Sequence, residues 1–358
     1  MQKQILISVV SILIFVPIGN VLATDNFAAE KLDLKLRLKP GQKYDMRLIT
    51  ELKRTETIEG KQEHESFMFD RGMGFEVEEV DADGVAKVRV TFRTLQMKVI
   101  RVGGFRSEYD STKQSVADDY SKVPSIEAAG LGESFSIKIS PKGEIIEVKG
   151  LEEMYSRIFE KVEEWNEKYL IMEMVPCKET ERSCSSKTTR SPTTLSWKEM
   201  SESNKKVWRE VRMHNIKATY SEKEIRNMLS DMIVAFPEQP VAIGGSWVDK
   251  MKIWGKNKDI DGTYILTNSE GGIVAMDLSA KKTAEEQPFW RVNNEGREVG
   301  FKIIGSCKGS FEIDKTSGWL VCSKVNMRFT GQVIDEEAND QMTKPILKEE
   351  VISVEPME

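Results

Sequence analysis

The chain carries only four cysteines and two histidines in 358 residues. His64 and His214 have no close partner in sequence and no Cys-x-x-Cys spacing occurs, so the ligand pattern of a structural zinc site is missing. There is no concentrated run of basic residues. Against 58 acids stand 52 lysines and arginines, a net charge of -6, and the short clusters Lys205-Lys206-Arg209-Arg212 and Lys281-Lys282 are neighboured by acids. A nucleic-acid partner, which needs a basic surface, is therefore excluded as an expectation. Dinucleotide fingerprints and phosphate loops are missing too: Gly72-Met73-Gly74, Gly103-Gly104 and Gly244-Gly245 sit in strand-like surroundings without the helix and lysine that phosphate binding uses. Gly244-Gly245-Ser246-Trp247 is not the Gly-x-Ser-x-Gly elbow of a hydrolase.

Two fragments come nearer to chemistry. Ser203 and Lys206 have the Ser-x-x-Lys spacing that can set a lysine beside a nucleophilic serine on a helix. The companion Lys-Thr-Gly is interrupted, however, reading Lys315-Thr316-Ser317-Gly318. Asp81 and Asp83 could ligate calcium, yet the rest of the ~12-residue calcium loop is missing, and a hairpin turn accounts for them. No catalytic, cofactor-binding or metal-ligating residue is assigned, and no cofactor is expected.

What is present begins with an address. Lys3 is followed by an apolar run from Ile5 to Ile18, and Val21-Leu22-Ala23 supplies a cleavage site before Thr24. The run falls short of the ~20 residues that span a bilayer comfortably, so cleavage is expected, releasing the chain into the periplasm or outside the cell. No cysteine follows the cut to carry a lipid, and no permanent membrane anchor is expected.

In an exported chain the even cysteine count permits disulfides in three connectivities. Proximity favours Cys177–Cys184 and Cys307–Cys322. The second bridge is the preferred one, although simple pairing across the Asp314–Gly318 turn sets Cys307 opposite Asn326 and demands a bulge or another register. Free thiols buried as small hydrophobes are the alternative.

Strand signals dominate. Leu32, Leu34, Leu36 and Leu38 alternate with Asp33, Lys35 and Arg37. Long strands are expected from about Tyr44 to Thr57 and from Glu63 towards Val80, then a hairpin turn at Asp81-Ala82-Asp83-Gly84. Further turns are read at Ser140-Pro141-Lys142-Gly143, Asp261-Gly262, Gly271-Gly272 and Asp314–Gly318. Leu151, Met154, Ile158, Val162, Trp165 and Tyr169 recur at helical spacing and predict an amphipathic helix over 151–172. A second helix starts at the capping box Ser221-Glu222-Lys223-Glu224. Ser134-Phe135-Ser136-Ile137 and Ser310-Phe311-Glu312-Ile313, each ahead of a turn, hint at one device used twice.

These signals predict an α+β fold, predominantly antiparallel β: curved meander sheets or half-barrels closed by amphipathic helices, with a duplication of the two halves left open. The expected organisation is a signal peptide over 1–23, a β-rich half over 24–175, a polar linker and helical region over 176–235, and a second β-rich half over 236–358.

Leu38-Lys39-Pro40-Gly41-Gln42-Lys43-Tyr44, Val80 to Gly84, Tyr109-Asp110-Ser111, Phe135 to Gly150, Pro240 to Trp247 and the late Gly-Ser-Phe-Glu-Ile-Asp strand together resemble a family of exported bacterial proteins and lipoproteins of unknown function. The resemblance covers most of the chain beyond the signal and implies a β-rich fold with no catalytic residues to carry over. The architecture is also similar to curved-sheet lipid carriers of the bacterial envelope. The leading expectation is a non-enzymatic protein that binds an apolar small molecule, lipid or envelope protein in a cavity of the curved sheet. An envelope structural or interaction module, and a hydrolase with a polar cleft, are the alternatives.

Overall fold

The computed structural model describes residues 30–58, 61–101, 104–113, 126–169, 171–174, 193–196, 200–253, 258–283, 289–292, 298–335 and 342–357. The expected signal peptide, Cys177 and Cys184 lie outside the described residues. Among the described residues no helix is long and apolar enough to cross a membrane.

A two-residue strand β1 (Lys31–Leu32) precedes the long strands β2 (Lys43–Ile58), β3 (Lys61–Val80) and β4 (Ala86–Ile100), with β5 (Arg106–Asp110) after them. Alternation sets their faces: Ala86, Val88, Val90 and Phe92 are buried on β4, with the partly or fully exposed Lys87, Arg89 and Thr91 between them. The turn before β4 forms because Asp81 Oδ1 accepts the N–H groups of Asp83 (3.0 Å) and Val85 (2.9 Å), while Gly84 takes a φ of +80°. Then come α1 (Ile126–Ala129), β6 (Ser134–Ile139), β7 (Ile145–Lys149), α2 (Leu151–Tyr169), β8 (Ile171–Met174), β9 (Thr193–Ser196), α3 (Glu202–Thr219) and α4 (Glu222–Leu229). Strands complete the chain: β10 (Val241–Ala242), β11 (Ser246–Ile253), β12 (Lys258–Glu270), β13 (Ile273–Lys282), β14 (Phe289–Val292), β15 (Glu298–Asp314), β16 (Leu320–Asp335) and β17 (Met342–Pro356).

One antiparallel sheet of 13 strands runs in the order β11-β12-β13-β15-β16-β17-β2-β3-β4-β6-β7, with β14 beside β15 and β5 beside β4. Its middle joins the two ends of the chain, since β17 pairs with β2 from Ile346 opposite Glu56 to Pro356 opposite Met46. The fold is β-dominant with few helices, an open, curved meander sheet whose inner face carries Leu48, Phe75, Leu266, Met276, Phe329 and Val354. The two Ser-Phe-x-Ile segments act alike: each buries its Phe and Ile and leads into a hairpin, Phe135 and Ile137 in β6, Phe311 and Ile313 in β15.

Three readings of the sequence are corrected. The alternating leucines do not make a strand beyond Leu32. Residues 33–39 form an extended strap that buries Leu34, Leu36 and Leu38 and finds its backbone partners on two hairpin turns, Leu36 N–H donating to Pro141 O (2.8 Å) and Arg37 N–H to Ser317 O (2.7 Å). Alternation reports which side chains are buried; it does not say whether a ladder or a set of loops satisfies the backbone. Asp261-Gly262 is not a turn but lies inside β12, Gly262 pairing with Asp249 on one side and Ala280 on the other. There its lack of a side chain leaves room for Leu278 and Met251, which a Cβ would meet at 3.0–3.3 Å.

The third correction removes the Cys307–Cys322 disulfide. Cys307 sits opposite Met327 and Cys322 opposite Glu312, on a β15–β16 hairpin with a register shift between Glu312 and Ile313. Cys307 and Glu312 are an odd number of positions apart, so the two cysteines lie on opposite faces and roughly 17 Å apart along the strands. A bridge needs Cα atoms within about 7 Å. Both are free thiols. Burial, seconded by the Glu350 charge, pushes the Cys307 thiol up to about 12, which keeps it a protonated, inert core residue.

The helices cover the inner face. Met154, Tyr155, Ile158 and Val162 of α2 are buried at helical spacing, and Tyr155 Oη donates to Tyr220 O (2.8 Å) at the end of α3. Buried Glu133, just ahead of β6, holds α2 through Arg157 (2.5 Å) and Lys161 (2.6 Å). Burial raises its carboxyl pKa, but the hydrogen bonds and charges of Lys161 and Arg157 outweigh that and leave it below the ordinary value. The folded value is thus depressed, so the stabilisation is complete above the unfolded pKa near ~4.3 and is lost as pH falls through the folded value. Glu133→Gln is expected to cost about 1 kcal/mol at pH 7, a modest sum because Arg157 and Lys161 are part-exposed. In urea titrations the deficit should shrink as pH drops from about 5 to about 3; a constant gap would refute the charge argument.

Candidate functional site

The site is built by α4 and the segment after it, which lie within the curve of the sheet. Ser221 ends α3's successor turn by accepting the Glu224 N–H (3.3 Å), the cap expected from the sequence. Ile225 and Leu229 then face inward, and Met232, Ile233, Val234 and Phe236 stay buried after the helix ends. Two contacts clamp this unit to the edge strand β7 and its turn. Arg226 donates to the carbonyls of Ile145 and Ile146, covering part of an unpaired sheet edge. Phe236 N–H donates to Lys142 O (2.9 Å), and Lys142 Nζ returns to Pro237 O (2.6 Å).

Wedged in this way, α4 leaves a cavity on either side. The first, about 220 Å³, lies between the α3–α4 elbow and strands β2, β3 and β4, walled by Leu48, Phe69, Phe92, Leu95, Ile225 and Met228. The second, about 320 Å³, is walled by Ile233, Val234, Tyr264, Leu278, Phe311 and Met327. Asp231 and Ile352 belong to both walls. The sheet curves far enough that its two edge strands share the second cavity, Ile145 from β7 and Met251 from β11.

Polar groups interrupt these apolar walls: the first cavity also takes in Arg71, Glu127, Glu224, Asn227, Asp231 and Glu350, the second Glu144, Arg226, Asp249 and Lys250. Arg71 projects from β3 into the first cavity with its guanidinium over the Phe69 ring, 4.8 Å from the centroid. Its guanidinium makes no hydrogen bond or ion pair with another described residue. Burial makes its charged form less favourable than usual, opposed by the more distant charges of Glu127 and Asp231 and by Tyr220. Tyr220 Oη donates to Glu127 O (3.1 Å) and Ile126 O (3.3 Å), fixing α1 at the cavity. In the second cavity Tyr264 stacks on Trp247, with centroids 5.4 Å apart, and burial raises its hydroxyl pKa.

The fragments that came nearest to chemistry in the sequence lie elsewhere. Ser203 and Lys206 are both exposed on α3, with Ser203 Oγ 3.0 Å from Ser201 Oγ at the helix cap, so no cavity encloses the pair. His214 is exposed, and His64 Nδ1 contacts Thr55 Oγ1 (3.0 Å) across two strands. Among the described residues no group of His, Cys, Asp and Glu is clustered as metal ligands would be. Sequence reasoning missed Arg71 altogether. Its only signal was an arginine at an inward position of β3 among Phe67, Phe69 and Met73, visible once the register is known.

No curated protein matches the chain. Among solved structures, one of lipid–protein interactions in lipovitellin aligns over 89% of this chain at 8% identity with a TM-score of 0.40; the alignment spans 25% of that structure's chain. A family model, the family of unknown function DUF6263, matches residues 83–187 and 196–320. Those two segments take in most of the described strands and all of α2, α3 and α4, and the chain belongs to the DUF6263 family.

Proposed function

We propose that this protein is an exported, non-enzymatic binding protein that shelters an apolar small molecule between α4 and the inner face of its sheet. The observation that carries the proposal is the pair of largely apolar cavities flanking Ile352 and Asp231, the larger within the roughly 300–1,000 Å³ common for small-molecule sites. Apolar lining supplies affinity in proportion to the area taken from water, while a few fixed polar groups orient the ligand. Export rests on the apolar run from Ile5 to Ile18 and the site before Thr24.

The neutral fluorophore N-phenyl-1-naphthylamine tests the reading. The protein should bind it with a blue-shifted, saturable emission. Ile352→Trp, which puts bulk into the wall common to both cavities, should weaken binding by about tenfold. Absence of saturable binding by the unmodified protein would overturn the proposal. Overpacking also costs stability, so the variant's fold is checked by thermal melting before its binding is read.

A further inference from the structure

The wall of the first cavity carries one guanidinium, Arg71, and four carboxylates, Glu127, Glu224, Asp231 and Glu350. The Arg71 guanidinium lies over the Phe69 ring, and its hydrogen-bond donors are directed at no other described residue. The Glu127 carboxylate lines the same cavity and likewise takes part in no ion pair with a described residue. The two charges act on one another from beyond ion-pair distance. A part-buried arginine without a partner is costly, and the cost is recovered only by a group that brings acceptors. An anion alone suits Arg71 poorly, because it would face the four carboxylates of the same wall. A headgroup carrying both signs meets both demands.

We infer that this cavity recognises the zwitterionic headgroup of a single-chain amphiphile, with the anionic group on Arg71 and the ammonium on Glu127. The inference rests on the apolar-ligand reading above and specifies the ligand class. The anionic group is a planar or tetrahedral oxyanion, carboxylate or phosphate, which the guanidinium fork accepts in a bidentate manner. The chain lies along Phe69, Phe92, Leu95 and Met228. At about 220 Å³ the cavity is too small for two acyl chains beside a headgroup and takes in only the first part of one.

Three ligands with the same acyl chain separate the contributions: lysophosphatidylethanolamine carries both charges, lysophosphatidic acid lacks the ammonium, and monoacylglycerol lacks both. Each is titrated, below its micelle-forming concentration, against protein loaded with N-phenyl-1-naphthylamine. The zwitterion should displace the fluorophore at about tenfold lower concentration than either of the others. Arg71→Met should erase its advantage over monoacylglycerol, and Glu127→Gln its advantage over lysophosphatidic acid, the ligands being compared within each variant against that variant's own fluorophore affinity, measured first. Equal displacement by all three ligands, or a preference that survives both substitutions, would overturn the headgroup assignment and leave the apolar cavity standing. If the unmodified protein fails to bind the fluorophore, the cavity reading falls and this one with it.

Discussion

Trp319→Ala is expected to lower the unfolding free energy by about 3–5 kcal/mol, the range for deleting a large aromatic from a packed core. Trp319 is 4% exposed where the β15–β16 turn meets the strap. Its ring stacks on Tyr44, with centroids 4.4 Å apart and planes at 14°, and meets the edge of Phe75 at 5.2 Å and 64°. Both offset-stacked and edge contacts exploit the ring quadrupole and add to the area buried. The indole also carries a penalty: its Nε1 is buried with no acceptor among the described residues. Trp319→Phe keeps a ring against Tyr44 and removes that orphan donor, so its cost should stay below about 1.5 kcal/mol. Urea denaturation of the two variants decides the matter. Equal losses would mean that the ring contacts are not what the tryptophan contributes.

The same corner shows how far the sequence could be read. Turns announced themselves because their chemistry is local: Asp81 and Asp314 bond backbone groups two to four residues on, and Gly84, Gly272 and Gly318 take φ values that favour glycine. The amphipathic face of α2 was legible for the same reason, as Met154, Ile158 and Val162 needed only helical spacing to be placed inside. Pairing between distant segments left no such trace. Nothing near β2 or β17 says that the first long strand lies beside the last, yet that contact joins the strands on either side of it into the 13-stranded sheet.

The cysteine expectation failed because the register sets Cys322 five positions from the residue opposite Cys307. Closeness along the chain favoured Cys307–Cys322, but in a hairpin the partner is fixed by the turn and the bulge, which bring Met327 to Cys307. The candidate site was less legible still. Arg71 stands on β3, Glu127 on α1 and Ile352 on β17, and they meet only because the sheet curves around α4. An apolar cavity has no motif; its lining residues look like core residues that happen to lack neighbours.

Gly143→Ala and Gly272→Ala should therefore part company, although both glycines have nearly the same backbone, φ +84° and +83°. At Gly272 a Cβ would meet nothing within 4 Å, so the substitution costs only the conformational strain of a side chain in the left-handed region, about 1–2 kcal/mol. At Gly143 the added methyl would collide with the Val234 carbonyl oxygen and come within 3.0 Å of its carbon. These are backbone atoms that no rotamer change can move aside, and overpacking of that kind adds about 1–3 kcal/mol. The displaced segment is the one that walls the second cavity with Ile233 and Val234, so the shift should reach the ligand as well. Gly143→Ala should lose roughly twice the stability of Gly272→Ala in urea and also weaken N-phenyl-1-naphthylamine binding, which Gly272→Ala should leave intact. Equal stability losses, with fluorophore binding unchanged in both variants, would show that the turn at Gly143 does not support the cavity wall.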